Sequence, residues 1–159
     1  MSTLIVFSSK YGYTESCVNI LSKEIKDEVT VINLKNTQNI NLSKYNKIII
    51  GGPIYMGKIQ KEVKEFCLNN LEELKNKKIG LFICGMQKEK IINNQILENF
   101  PPELINIALI TSHFGGDLYY DKMNFFDKII AKLFEKSYSN KSYILNDNII
   151  YFAEAMNSV

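Results

Sequence analysis

Five short apolar runs, rich in β-branched residues, recur along this chain and alternate with amphipathic stretches. They span residues 3–8, 29–34, 47–52, 78–84 and 105–113. Continuous apolar runs of this length, bounded by turn residues, read as strands buried on both faces. The stretches between them carry the helical period. Over 14–27, Cys17, Val18, Leu21 and Ile25 fall on one stripe. Over 59–74, Val63, Phe66, Cys67, Asn70 and Leu74 do the same. A short helix is expected around 90–99, and 148–156 closes the chain as another. The polar, Asn-rich segment 36–46 reads as a connector in which a helix is shortened or lost. The stretch 115–140 is longer than a plain strand-to-helix connection needs, and part of it predicts an added helix.

Strands alternating with helices specify a parallel sheet covered on both faces. Right-handed crossovers leave few topologies. The order of elements fits an α/β fold with a doubly wound five-stranded parallel sheet, order 2-1-3-4-5, and a late helical insert. Ligands of such sheets sit at the carboxyl ends of strands 1 and 3, where the winding reverses.

Composition narrows the field. A chain of 159 residues suits one domain with a full core, expected over 1–159. No apolar run approaches the roughly 18 residues of a transmembrane helix. The first strand begins at Thr3 with no basic segment before it, so no secretory signal is expected and the chain reads as cytoplasmic. Cys17, Cys67 and Cys84 are far apart and form no C-x-x-C pair, which reads as buried, reduced thiols. With one histidine, a structural zinc site finds no support. The net charge of +2 and the lack of a basic run give no sign of nucleic acid binding.

The sharpest chemical signal follows the first strand. Ser8-Ser9-Lys10-Tyr11-Gly12-Tyr13-Thr14 is a tight loop of hydroxyls and glycine that runs into a helix start. Helix N–H groups, the helix dipole and the Ser9 and Thr14 hydroxyls together make an anion cradle. The loop matches neither G-x-x-x-x-G-K-[ST] nor G-x-G-x-x-G, and it suits one phosphate monoester better than a pyrophosphate. That points to FMN. After strand 3 comes Gly51-Gly52-Pro53-Ile54-Tyr55-Met56-Gly57, where glycines admit a ligand and Tyr55 and Met56 offer flat or polarisable surface. After strand 4 comes Cys84-Gly85-Met86-Gln87, whose backbone N–H groups can bond the polar edge of a flavin ring. Each of these two loops is also readable as an ordinary glycine turn. Three such loops at the correct strand ends favour a flavin.

The first loop resembles the phosphate loop of flavodoxins. By that resemblance Ser9, Gly12 and Thr14 hold the FMN phosphate, and the backbones of Lys10, Tyr11 and Tyr13 assist. Flavodoxins usually carry Asn just before the final Thr, where this chain has Tyr13. The resemblance spans nearly the whole chain in element order. A narrower one rests on Gly57 within Ile54-Tyr55-Met56-Gly57 and on Gly115-Gly116-Asp117-Leu118-Tyr119-Tyr120 leading into an aromatic, basic helix over 124–136. This arrangement is similar to bacterial menaquinone-dependent protoporphyrinogen dehydrogenases, FMN-dependent enzymes of heme synthesis with a G-x-L-x-Y turn before an inserted helix. It implies that FMN passes reducing equivalents from an organic substrate to a quinone. The candidate cofactor contacts then include Pro53, Ile54, Tyr55, Met56, Gly57, Cys84, Gly85, Met86, Gly115 and Gly116 as well as the phosphate loop. The loop around Tyr55–Gly57 and the stretch 115–134 would form the substrate side.

Other residues stay open at this stage. Phe125, Phe126, Ile129, Ile130, Leu133 and Phe134 recur at helical spacing, and they fit either a helix packed on the sheet or a surface helix meeting a membrane, a quinone or a porphyrin. The second case would place the protein peripherally at the inner face of the membrane. His113 can serve as a proton donor near a flavin or as a hydrogen-bonded packing residue. Tyr119 and Tyr120 line a pocket or simply pack. No Ser-His-Asp set and no carboxylate pair can be assembled, so the chemistry is expected from the cofactor. A flavodoxin-type electron carrier that docks on a redox protein is the alternative function. Such carriers are usually strongly acidic, and the near-neutral charge here leans the other way. A phosphoacceptor receiver needs acidic residues where Ser8, Ser9, Gly51 and Gly52 stand.

Overall fold

The computed structural model describes residues 1–37, 39–86, 88–116, 129 and 143–159. Alternation along each central strand sends side chains into two separate cores. Leu4 and Val6 of β1 (Ser2–Phe7) enter one, and Ile5 and Phe7 enter the other. In β3 (Lys47–Tyr55), Ile48 and Ile50 part from Ile49 in the same way. In β5 (Lys78–Cys84), Ile79, Leu81 and Ile83 part from Phe82 and Cys84. Burial on both faces is why these strands read as unbroken apolar runs.

Helices cover the two faces. On one lie α2 (Lys61–Asn69), the short α3 (Leu71–Leu74), α4 (Glu89–Asn99) and α5 (Pro102–Ile107), through Val63, Phe66, Cys67, Leu74, Ile92, Ile96 and Leu104. On the other lie α1 (Tyr13–Glu24), through Cys17, Val18 and Leu21, and the last helix α6 (Asn146–Asn157), through Ile149, Phe152, Ala153 and Met156. With β2 (Glu28–Asn33) and β6 (Ala108–His113), the parallel strands stand in the order β2-β1-β3-β5-β6. This is the doubly wound order expected from the alternation. A two-residue β4 (Lys58–Ile59) folds back antiparallel on β3, and β7 (Gly115–Gly116) pairs antiparallel with β8 (Tyr143–Ile144).

Three boundaries differ from the sequence reading. The run 105–113 is not all strand: Pro102 occupies the first turn of α5, and the helix takes the chain to Ile107 before β6 starts. The expected helix over 59–74 begins only after β4 and breaks at Asn70, whose side-chain amide donates to the Phe66 carbonyl at 2.9 Å. β3 runs on to Tyr55 and ends in a hairpin. Among its described residues the connector 36–46 holds a 3-10 turn, Leu42–Lys44, and no longer helix, in line with a lost helix. The added helix expected within 115–140 lies outside the described residues, save for Gly115, Gly116 and Ile129.

One charged group is locked in at the amino-terminal edge of the sheet. Lys47 is 2% exposed; its ammonium donates to the Met156 carbonyl at 2.8 Å and pairs with Asp27 at 2.9 Å. The Thr3 hydroxyl donates to the same carboxylate oxygen at 2.8 Å. The Lys47 hydrogen bond is the main reason the Asp27 carboxyl is held below the usual range. This arrangement fastens β3 to the end of α6. Gly80 allows α6 to lie flat on the sheet, because a Cβ there would stand 2.7 Å from Phe152 Cζ.

Candidate functional site at the carboxyl edge of the sheet

β1 delivers its loop beside the end of β3. Buried Ser8 donates its N–H to Gly51 O at 3.4 Å and its hydroxyl to Glu62 Oε2 at 3.5 Å. The chain then reverses at Gly12, whose φ of 94° is left-handed and favours glycine. Gly12 N–H donates to Ser9 Oγ at 3.0 Å, and Gly12 O accepts the Ser16 N–H at 3.1 Å, which starts α1. A hydroxyl that accepts one bond still has a hydrogen to donate. The N-cap is glycine and supplies no side-chain cap, so the first turn of α1 and its dipole are left for other acceptors. Thr14, 1% exposed, has a buried Oγ1 without a hydrogen bond. The Cys84 thiol lies close enough to influence it, but no bond of acceptable geometry forms.

The second loop is a tight hairpin. Met56 and Gly57 both have positive φ, 49° and 78°, as a type I′ turn requires. Asn99 of α4 clamps it: its carbonyl accepts the Ile59 N–H at 2.8 Å and its amide donates to Gly57 O at 3.0 Å. Met56 is 60% exposed at the tip, and Tyr55 is half-buried. The Lys10 ammonium lies 3.7 Å from the Tyr55 ring centroid and 5.4 Å from that of Tyr11. This contact joins the first loop to the hairpin. An open cleft of about 420 Å³ runs along the hairpin, lined by Tyr55, Met56, Lys58, Ile59, Gln60 and Lys61.

The loops after β5 and β6 are bonded to each other. Gly85 N–H donates to Gly115 O at 2.8 Å. His113 Nε2 lies 2.7 Å from Gly85 O, and since a carbonyl only accepts, that nitrogen carries the hydrogen. Asn148 of α6 donates to His113 O at 2.8 Å. His113 is therefore a hydrogen-bonded residue of this loop pair. Gly116 permits the contact: a Cβ there would come within 2.5 Å of Gly85 C and 2.7 Å of Met86 N. Phe114 then ties this pair to α1. Its carbonyl accepts the buried Tyr13 hydroxyl at 2.8 Å, and its ring stacks on Phe82 at 4.6 Å and meets Phe152 edge-on at 5.4 Å.

The cysteines are free and buried, as expected. Burial pushes the Cys67 thiol up to about 12. Burial also raises Cys84 well above the ordinary value. A hydrogen bond with Cys84 lowers its neighbour Cys17. Among the described residues no group of three metal-ligating side chains exists, and no helix is long and apolar enough to cross a membrane.

Ser9, Lys10, Tyr11, Gly12, Tyr13 and Thr14 thus share one loop, joined to Tyr55 through Lys10 and to the 113–116 segment through Tyr13. Gly85 and Met86 abut Gly115 and Gly116. Pro53 and Ile54 belong to β3, and the Ile54 side chain sits in the core, as does that of Cys84. Gly51 and Gly52 differ from the sequence reading. They lie inside β3, and their missing side chains make room for the Phe82 ring, 2.4 Å from a Cβ at Gly51, and for Val63, 3.1 Å from one at Gly52. Gln87, Asp117, Leu118, Tyr119, Tyr120, Phe125, Phe126, Ile130, Leu133 and Phe134 lie outside the described residues, and the proposed membrane contact falls on them. Ile129 is exposed. The sequence reading missed the Lys10–Tyr55 contact, the Tyr13–Phe114 bond and the Asn99 clamp. A cation beside Tyr11 was a usable hint for the first; the other two join distant segments and leave no local signal.

The first loop offers an anion a helix start, hydroxyls and a nearby ammonium. Known proteins agree with this architecture. Residues 4–143 match the Flavodoxin domain family, and the chain belongs to it. Protoporphyrinogen IX dehydrogenase [quinone] of Leishmania major is 21% identical over 148 residues, which cover 84% of this chain and 62% of that protein. The chain thus spans under two thirds of that relative's length. A short-chain flavodoxin associated with a non-canonical PDU bacterial microcompartment superposes with a TM-score of 0.66 at 14% identity, over 99% of this chain and 97% of that one. A flavoprotein from Lactobacillus acidophilus, solved in complex with FMN, superposes with a TM-score of 0.51 at 18% identity, over 70% of this chain and 92% of that one. These superpositions show the shared fold.

Proposed function

We propose that this chain is an FMN-binding redox protein and, more narrowly, an FMN-dependent oxidoreductase that takes reducing equivalents from a porphyrinogen-like substrate and delivers them to a quinone. The observation that carries the cofactor reading is the Thr14 hydroxyl: buried, unbonded and placed at the start of α1, where a phosphate needs a donor. Ser9, the Gly12 turn and the first N–H groups of α1 would hold the phosphate with it. Tyr55 and Met56 would face the ring system, and the backbone of Gly85 and Met86 would meet its polar edge. Bound FMN would supply electron transfer at its ring. The protein's part is to hold the ring, shield it and present one edge. The narrower reading draws support from the Leishmania major relative, which covers most of this chain, and from the near-neutral charge.

Fluorescence titration of the apoprotein with FMN and with riboflavin tests the first claim. FMN should bind at micromolar concentration or below, and riboflavin much more weakly. Absence of FMN binding at micromolar concentration refutes it. Anaerobic mixing of the FMN-loaded protein with protoporphyrinogen and a menaquinone analogue tests the second. Growth of porphyrin fluorescence supports the enzyme; FMN binding without turnover assigns the chain to electron carriage between partner proteins.

A further inference from the structure

The Lys10 ammonium covers a face of Tyr55, at 3.7 Å from the ring centroid. At that distance cation and ring are in contact, and no planar ligand can lie on the same face. Lys10 also belongs to the anion loop, one residue after Ser9 and two before Gly12. The ammonium therefore serves two kinds of partner that bear on ligand binding: the ring quadrupole, which it touches, and an anion on the loop to which it belongs. A charge-assisted bond to a phosphate dianion is the stronger of the two. We propose that Lys10 sets the discrimination between phosphorylated and unphosphorylated flavin, by covering Tyr55 until a phosphate in the 8–14 loop draws it away. The inference rests on the FMN reading above and deepens it. FMN brings its own means of uncovering Tyr55. Riboflavin lacks the phosphate and must displace the ammonium with nothing offered in return.

Lys10→Met keeps the stem and removes the charge. It is expected to bind riboflavin about 2- to 30-fold more tightly than wild type, the range of a cation–π contact. FMN should bind about 10-fold or more weakly, so the preference for FMN narrows from both sides. Lys10→Arg should keep the wild-type preference. A second readout is independent of affinity. In the ligand-free protein, NMR should find the Lys10 ε-methylene protons shifted upfield by the Tyr55 ring. FMN should return them to the ordinary position, and inorganic phosphate alone should move them the same way. Unchanged or weaker riboflavin binding by Lys10→Met overturns the inference. So does an unshifted ε-methylene group in a wild-type protein that binds FMN. Failure of the wild type to bind FMN refutes the cofactor reading itself, so the two failures are separable.

Discussion

Replacing Thr14 by Val should raise the stability of the ligand-free protein and lower its affinity for FMN. The two effects have one origin. The Thr14 hydroxyl is buried and has no hydrogen bond. An unsatisfied buried polar group costs about 1–3 kcal/mol. Valine is close in shape, and its helix propensity is similar to threonine's. The nearby Cys84 thiol forms no bond of acceptable geometry with it and so recovers little of the cost. A gain of about 0.5–1 kcal/mol is therefore expected in urea unfolding, with the slope unchanged. Binding moves the other way, because a hydrogen bond to a charged group contributes about 1.5–3 kcal/mol. FMN affinity should fall about 10- to 150-fold. Riboflavin offers no phosphate, so its affinity should stay put, and Thr14→Ser should retain most of the FMN affinity. A Thr14→Val protein that is less stable by more than about 1 kcal/mol would refute the reasoning, since the hydroxyl would then already be bonded inside the protein. Unchanged FMN affinity would refute the assigned role.

Three further outcomes can be checked. Lys47→Met leaves the Asp27 carboxylate with the Thr3 hydroxyl but no cation, and leaves the Met156 carbonyl without its donor; it should cost about 2–4 kcal/mol in urea unfolding, the lower side reflecting the Thr3 bond and the water access of Asp27. The folded state holds Asp27 below its unfolded value, so this stabilisation is complete above the ordinary carboxylate range and fades as pH falls through the folded-state value. The wild type should lose stability across that window, and Lys47→Met should show a flatter profile there. Gly116→Ala places a Cβ against the Gly85 backbone, which cannot yield as a side chain can. FMN affinity should drop and the amide resonances of Gly85 and Met86 should shift; an unaffected titration would argue against this loop pair as part of the site. Cys67, its thiol pushed up to about 12 by burial, should resist iodoacetamide at pH 8 in the folded protein and react fully in urea, as mass spectrometry would register.

The sheet was readable because β1, β3 and β5 are buried on both faces, and a run such as Ile48-Ile49-Ile50 leaves little choice. The first loop was readable because hydroxyls, glycine and a helix start stand together within seven residues. Other features depend on partners far away in the chain. Ile105 and Ile107 are as apolar as Leu109 and Ile110, and only Pro102 marks the first pair as helical. Glycines mark both turns and close packing, so Gly51 and Gly52 resembled a ligand loop until Phe82 and Val63 were seen against them. The hairpin after β3 lacks the usual Asn-Gly pair. Met56 takes a left-handed turn position there, which the Asn99 clamp helps to hold.

Phe114 gathers its partners from three distant stretches of the chain: the hydroxyl of Tyr13, the ring of Phe82 and the ring of Phe152. That convergence imposes an order on biosynthesis. The anion loop leaves the ribosome well before the 113–116 segment that holds the start of α1, and the packing of that segment on Phe152 waits for α6. Contacts of such long sequence separation form late, since loop closure must come first. Stalled nascent chains of increasing length should acquire FMN binding only once Met156 has cleared the exit tunnel. A ligand that binds only the finished fold stabilises it by mass action. FMN supply then sets how much of the finished fold persists, and flavin scarcity would show itself as a lower steady-state level of the protein.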